Sequence, residues 1–129
     1  MSGLGSDRLT LLVVEDEPLI RIELVDLLMD MGYRVLEATH AELAVRTLEA
    51  HPEIAAVITD LDMPGSMDGL ALARIVRECW PPCALIMVSG HHRPDPDELP
   101  SGLRFLSKPV ATRSLERTLS ELGVGAPSA

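Results

Sequence analysis

The sequence predicts an α/β domain built on an open parallel sheet, and three observations point there. Short apolar runs alternate with amphipathic segments between Thr10 and Leu122, which is the pattern of βα units. Four of those runs stop abruptly at polar residues: TLLVV at Glu15-Asp16, IAAVIT at Asp60, CALIMV at Ser89 and LRFLS at Lys108-Pro109. The chain has 129 residues, enough for one domain that buries about two-thirds of its unfolded surface.

Residues 1–8, rich in Gly and Ser, read as a flexible leader. Thr10 to Val14 is the first strand. Pro18 suits the first turn of a helix, and Leu19 to Met31 continues it with Ile20, Leu24, Leu27, Leu28 and Met31 on one face. Gly32 suits its stop. Tyr33 to Glu37 is a short second strand. Thr39 and Glu42 form a capping box for a helix to about Ala50, with Ala41, Ala44, Val45 and Leu48 as its apolar stripe, and His51-Pro52 closes it. Ile54 to Thr59 is the third strand.

Asp60 to Asp68 holds Pro64, Gly65 and Ser66 and is therefore a loop. Asp68 caps a helix from Gly69 to about Cys79 that turns Leu72, Ile75, Val76 and Cys79 inward. Pro81-Pro82 ends it before the fourth strand. Alternation then calls for another helix, but Pro94, Pro96 and Pro100 interrupt His91 to Gly102, and proline inside a helix costs about 3 kcal/mol. The segment should be a loop with at most one helical turn near Pro96 to Leu99. A fifth strand at Leu103 to Ser107 and a helix over Thr112 to Leu122, with Leu115, Leu119 and Leu122 at helical spacing, complete the domain at residues 9–122. Residues 123–129 read as a flexible tail.

Composition narrows the function. A hydrophobic content of 47% with 2% aromatic residues implies an aliphatic core. A formal charge of −9 argues against nucleic acid, which requires clustered Lys and Arg, and against an anionic membrane surface. No apolar stretch approaches the ~20 residues of a membrane span, and no signal-peptide pattern opens the chain, so a cytoplasmic location is expected. Cys79 and Cys83 are too few for a disulfide framework and are spaced by three residues, one more than a redox pair uses. They read as core packing. His91-His92 near Asp95 and Asp97 lacks a defined metal-ligand geometry.

In a parallel sheet all four polar endings lie along the carboxyl edge, where open α/β folds bind ligands. Glu15, Asp16 and Asp60 gathered there repel one another by a few kcal/mol, at roughly ε = 20. A hard dication relieves this. Mg²⁺ takes one or two carboxylates and completes its shell with water and phosphate oxygens. Asp60 can also act as a nucleophile and hold an acyl phosphate. Lys108, the chain's one lysine against ten arginines, supplies a point charge to a phosphoryl oxygen, and Ser89 supplies a hydroxyl. Catalysis at such a site is positioning plus charge neutralisation. An enzyme is the competing reading. Asp60-Leu61-Asp62 is similar to the DxD nucleophile motif of haloacid dehalogenase-type phosphatases, but that motif ends a first strand and here it ends the third.

From Leu9 to Leu122 the sequence resembles the response-regulator receiver family (CheY-like). VVEDEP fits the family's acidic pair, VITDLDMPGSMDG its phosphoacceptor strand and loop, Ser89-Gly90 its hydroxyl position, and FLSKP its lysine-proline ending. The resemblance implies a flavodoxin-like sheet of five parallel strands in order 2-1-3-4-5, with a reduced or irregular fourth helix here. It implies a single-domain response regulator, a phosphoacceptor and not a turnover enzyme, in which Asp60 takes a phosphoryl group from a phosphohistidine on a histidine kinase or histidine phosphotransfer protein. Mg²⁺ would be held by Asp16, Asp60 and the backbone carbonyl of Asp62, with Glu15 outside or bound through water. Lys108 would pair with the phosphoryl group, and the Lys108-Pro109 bond would be cis. Ser89 and Phe105 would form the switch, and Asp62 and His91 would tune dephosphorylation. A downstream protein partner is implied without being identified, and a homodimer is left open. Phe105 stands where the family often has tyrosine, so the inward ring gains no hydroxyl bond. The loop between Pro64 and Met67 carries one extra residue.

Overall fold

A computed structural model describes residues 8–63, 68–90 and 94–125. Five strands, β1 (Thr10–Val14), β2 (Arg34–Ala38), β3 (Ile54–Asp60), β4 (Ala84–Ser89) and β5 (Arg104–Ser107), form one sheet in the order β2-β1-β3-β4-β5. Every neighbouring pair is parallel. The helices are α1 (Pro18–Asp30), α2 (Ala41–Ala50), α3 (Gly69–Cys79) and α4 (Thr112–Glu121).

Alternation along the central strands divides the core between the two faces of the sheet. Leu12, Val14, Val57, Leu85 and Met87 pack under α2 and α3 against Ala44, Leu48, Leu72 and Val76. Leu11, Val13, Ile58, Ile86 and Val88 pack under α1 and α4 against Leu24, Leu28, Leu115 and Leu119. The core is aliphatic, as the composition requires. Both faces being covered explains why the strands read as continuous apolar runs.

Several details differ from the sequence reading. β2 is shifted to Arg34–Ala38 because Ala38 pairs with Val14 and its carbonyl accepts from the Glu15 amide at 3.1 Å. The chain stays extended one residue longer, so α2 is capped by His40 and not by Thr39: the His40 Nδ1 accepts from the Leu43 amide at 3.2 Å. In α1 the buried residues are Leu24, Val25 and Leu28, while Ile20, Leu27 and Met31 are half-buried. Cys79 is exposed and only Cys83 is buried: position 79 keeps the helical spacing of Leu72 and Val76, but it is the last residue of α3.

Between β4 and β5 the described residues contain one 3-10 turn, Pro96–Glu98, in agreement with the proline count. Two arginines of α3 hold this connection. Arg74 Nη2 donates to Glu98 O at 3.2 Å. Arg77 donates to three carbonyls, those of Ser101 (2.8 Å), Pro81 (2.9 Å) and Cys83 (3.1 Å). Leu99 and Leu103 pack against the α2–α3 core. Past α4, Gly123 turns with φ 82, Val124 joins the α1–α4 core, and the Tyr33 hydroxyl donates to Val124 O at 2.6 Å. Packed chain therefore continues beyond Leu122, the expected end of the domain. The rest of the expected leader and tail, at 1–7 and 126–129, lies outside the described residues.

Candidate functional site

The carboxyl edge of the sheet brings the strand-end residues together. Glu15 and Asp16 follow β1, Asp60 ends β3, Ser89 ends β4, and Lys108 follows β5. Backbone bonds beyond the strands fix their relative heights: Leu61 N to Val88 O at 2.9 Å and Lys108 N to Ser89 O at 2.9 Å. The Lys108-Pro109 peptide bond is cis.

Lys108 Nζ lies 3.1 Å from Asp60 Oδ2 and 3.1 Å from Glu15 Oε1. Glu15 is 1% exposed and Asp60 6%, so one ammonium is shared by two nearly buried carboxylates. The second Glu15 oxygen accepts from the Glu17 amide at 3.0 Å, and Arg21 Nη1 donates to Glu15 O at 3.0 Å while its Nε meets Glu37 Oε1 at 3.0 Å. Burial is the largest influence on Glu15 and lifts its carboxyl above its ordinary value; the Glu17 amide and Lys108 oppose this, and the Asp60 charge adds to it. For Lys108 burial works downward, but the hydrogen bonds and charges of Glu15 and Asp60 outweigh it and raise its pKa.

Glu15, Asp16 and Asp60 each offer one carboxylate oxygen, and these oxygens lie within 4.8 Å of one another. Oxygens around one Mg²⁺ are about 2.9 Å apart when adjacent and about 4.2 Å when opposite. The three groups therefore fit a hard dication with little movement. Asp16 is exposed and leaves the remaining positions open to water and phosphate oxygens. Three carboxylates against one ammonium leave a net charge of two negatives to be neutralised.

Asp62 is exposed. Its amide donates to Asp60 Oδ1 at 3.1 Å, and its Oδ2 accepts from Ser89 Oγ at 3.2 Å. Phe105 is half-buried, pairs with Met87 across the sheet, and packs against the α2–α3 core. His91 lies outside the described residues, as do Pro64, Gly65 and Ser66.

Two residues important to the site escaped sequence reasoning. Gly69 opens α3 with its backbone against Asp60: a Cβ there would run into the Asp60 carbonyl oxygen. An Asp-Gly pair after a loop signals a helix start but not this approach. Arg21 anchors the β1–α1 loop, and nothing in the pattern of α1 sets it apart. Beside Lys108, a groove of about 700 Å³ runs along α1, with an apolar floor of Leu24, Leu27 and Val110 and a rim of Glu23, Asp26 and Asp30. Among the described residues no helix is long and apolar enough to cross a membrane.

The response regulator receiver domain family model matches residues 11–120. The two-component response regulator PprB of Pseudomonas aeruginosa is 36% identical over 74 residues, covering 57% of this chain and 26% of that protein. The sensor kinase CckA of Brucella abortus is 35% identical over 117 residues, covering 88% of this chain and 12% of the kinase. The chain thus spans about a quarter or less of these curated relatives. A response regulator receiver protein from Sinorhizobium medicae superposes with a TM-score of 0.79 at 26% identity, over 91% of this chain and 95% of that one. The sheet order, strand-end cluster and sequence of the present chain all agree on one assignment: it belongs to the response regulator receiver domain family, the phosphate-receiving modules of two-component phosphorelays.

Proposed function

We propose that Asp60 is the phosphoacceptor of a single-domain response regulator. A carboxylate oxygen of Asp60 attacks the phosphorus of a phosphohistidine on a histidine kinase or histidine phosphotransfer protein. An O–P bond forms, the N–P bond breaks, and the imidazole nitrogen keeps the electron pair. The observation that carries this reading is the Lys108 ammonium, 3.1 Å from both Asp60 and Glu15, beside three converging carboxylates.

Mg²⁺, when bound, would be held by Asp16, Asp60 and the Asp62 carbonyl, with Glu15 outside or through water, and would neutralise the charge that builds on the phosphoryl oxygens. Lys108 would hold one of those oxygens and Ser89 another. With Mg²⁺ bound, the chain's own residues would promote transfer to and from Asp60, with Asp62 and His91 flanking the path of a hydrolytic water. Phosphorylation would move Ser89 and Phe105 and so alter a surface read by a downstream protein in the cytoplasm.

The groove along α1 supports a docking role for the donor, because it opens beside Lys108 and joins an apolar floor to an acidic rim. Incubating the chain with the phosphorylated histidine kinases of its own cell should give a stoichiometric, alkali-labile label from at least one of them. Asp60→Asn should abolish it. A label that persists in Asp60→Asn, or none from any kinase, overturns the reading.

A further inference from the structure

The structure assigns Asp62 a role that deepens the receiver reading and rests on it: we infer that its carboxylate is a latch, holding the Ser89 hydroxyl away from a phosphorylated Asp60 and biasing the chain toward its unloaded state. The observation is the 3.2 Å bond from Ser89 Oγ to Asp62 Oδ2. Asp62 is itself tied to the acceptor, because its amide donates to Asp60 Oδ1 at 3.1 Å. One residue therefore touches both the group to be phosphorylated and the hydroxyl meant to respond.

A serine hydroxyl has one proton to donate. Donated to Asp62, it is withdrawn from a phosphoryl oxygen on Asp60. An ionised carboxylate is also a stronger acceptor than a neutral oxygen, so the two anionic acceptors compete for one donor. The competition is settled by side-chain rotation, since the Ser89 backbone is fixed by the Lys108 amide at 2.9 Å and its residue is 3% exposed. Asp62 is exposed and turns to solvent without displacing core. In this role Asp62 is a positioning residue: it acts through Ser89.

A purely repulsive Asp62, one that disfavours phosphate by its charge alone, predicts different behaviour, and a double-substitution cycle separates the two. The probe is beryllium fluoride with Mg²⁺, a mimic of an aspartyl phosphate, followed by amide and Phe105 ring spectra. Asp62→Ala should lower the concentration for half-conversion by about 3- to 10-fold, the range of one lost hydrogen bond. In a Ser89→Ala background the same change should have under about 2-fold effect. Asp62→Asn, which keeps an acceptor oxygen but loses the charge that strengthens the bond, should fall between the native chain and Asp62→Ala. Equal gains in both backgrounds, no gain in either, or Asp62→Asn behaving as Asp62→Ala would each overturn the latch. If the native spectrum does not respond to Mg²⁺ and beryllium fluoride at all, the receiver reading fails and the latch with it.

Discussion

Gly69 lies against the carbonyl of Asp60 so closely that no Cβ fits between them. The start of α3 is thus pressed onto the last residue of β3, and the acceptor aspartate is held from behind by backbone. Gly69 N also donates to Leu61 O at 3.3 Å. Glycine to alanine at a helix position ordinarily stabilises by about 1 kcal/mol. Here the sign reverses. Gly69→Ala must push α3 and β3 apart, and overpacking of this kind costs about 1–3 kcal/mol. Urea denaturation should show that loss, and titration with beryllium fluoride and Mg²⁺ should show weakened binding. A stability equal to or above native would mean that α3 is not seated on Asp60 as described.

Lys108 is the charge that lets Glu15 and Asp60 share a buried rim. Removing one partner of a buried pair costs about 3–5 kcal/mol, and the Lys108 side chain is 20% exposed, so the loss for Lys108→Met should be nearer 1–3 kcal/mol. Added Mg²⁺ should restore more stability to Lys108→Met than to the native chain, because the dication replaces the missing positive charge. Paired denaturation curves with and without Mg²⁺ measure this directly. An equal Mg²⁺ effect on both proteins would argue that the ion does not bind beside Lys108.

The two cysteines should behave as opposites. Cys79 is exposed and Cys83 buried, and burial pushes the Cys83 thiol up to about 11 against an ordinary 9.0, with Arg77 pulling slightly the other way. At pH 8 only about one Cys83 in a thousand is thiolate. Alkylation followed by mass spectrometry should therefore modify Cys79 alone. Because the folded value is the raised one, the folded state binds the extra proton. The stability this gives is full below pH 9 and is lost as pH rises through about 11. Cys83→Ala should flatten that alkaline decline by up to about 3 kcal/mol. Lys108 is raised as well and declines in the same direction, so part of the slope should survive the substitution.

The arginine bracket explains how a connection without its helix keeps a shape. Arg77 reaches three carbonyls from one guanidinium, a geometry that lysine cannot reproduce. Arg77→Lys should cost about 1–2 kcal/mol and speed amide exchange at residues 99–104. Unchanged exchange there would show that Leu99 and Leu103 suffice to hold the segment.

These residues also mark what the sequence reveals and what it hides. Asp60, Ser89 and Lys108 were legible because a buried strand is apolar until it meets the edge, so a polar residue ending the run marks the rim. The proline-broken connection was legible for an equally local reason. Thr39 misled because the end of β2 is set by pairing with β1, which no local pattern records. α1 is apolar almost all round, with Leu19, Ile22 and Met29 exposed at 71%, 51% and 58%, so its periodicity could not single out Val25. The approach of Gly69 to Asp60, the three acceptors of Arg77 and the Ser89–Asp62 bond join residues through the tertiary fold, and backbone carbonyls leave no trace in composition.

The groove on α1 separates docking from chemistry. Its rim carries Glu23, Asp26 and Asp30, and none of these is among the three converging carboxylates, Glu15, Asp16 and Asp60. Charges at the rim of an interface act mainly on the rate of encounter, so reversing two of them should slow a protein donor without touching the reacting groups. Asp26→Lys with Asp30→Lys should reduce phosphotransfer from the cognate kinase by about 10-fold or more, with a weaker salt dependence than native because the steering field is gone. Phosphorylation by acetyl phosphate, which needs no docking surface, should proceed at the native rate. Rapid-quench measurement with both donors decides the matter. Equal slowing with both would mean that the rim acts on Asp60 itself, and no slowing with the kinase would place the donor on another face.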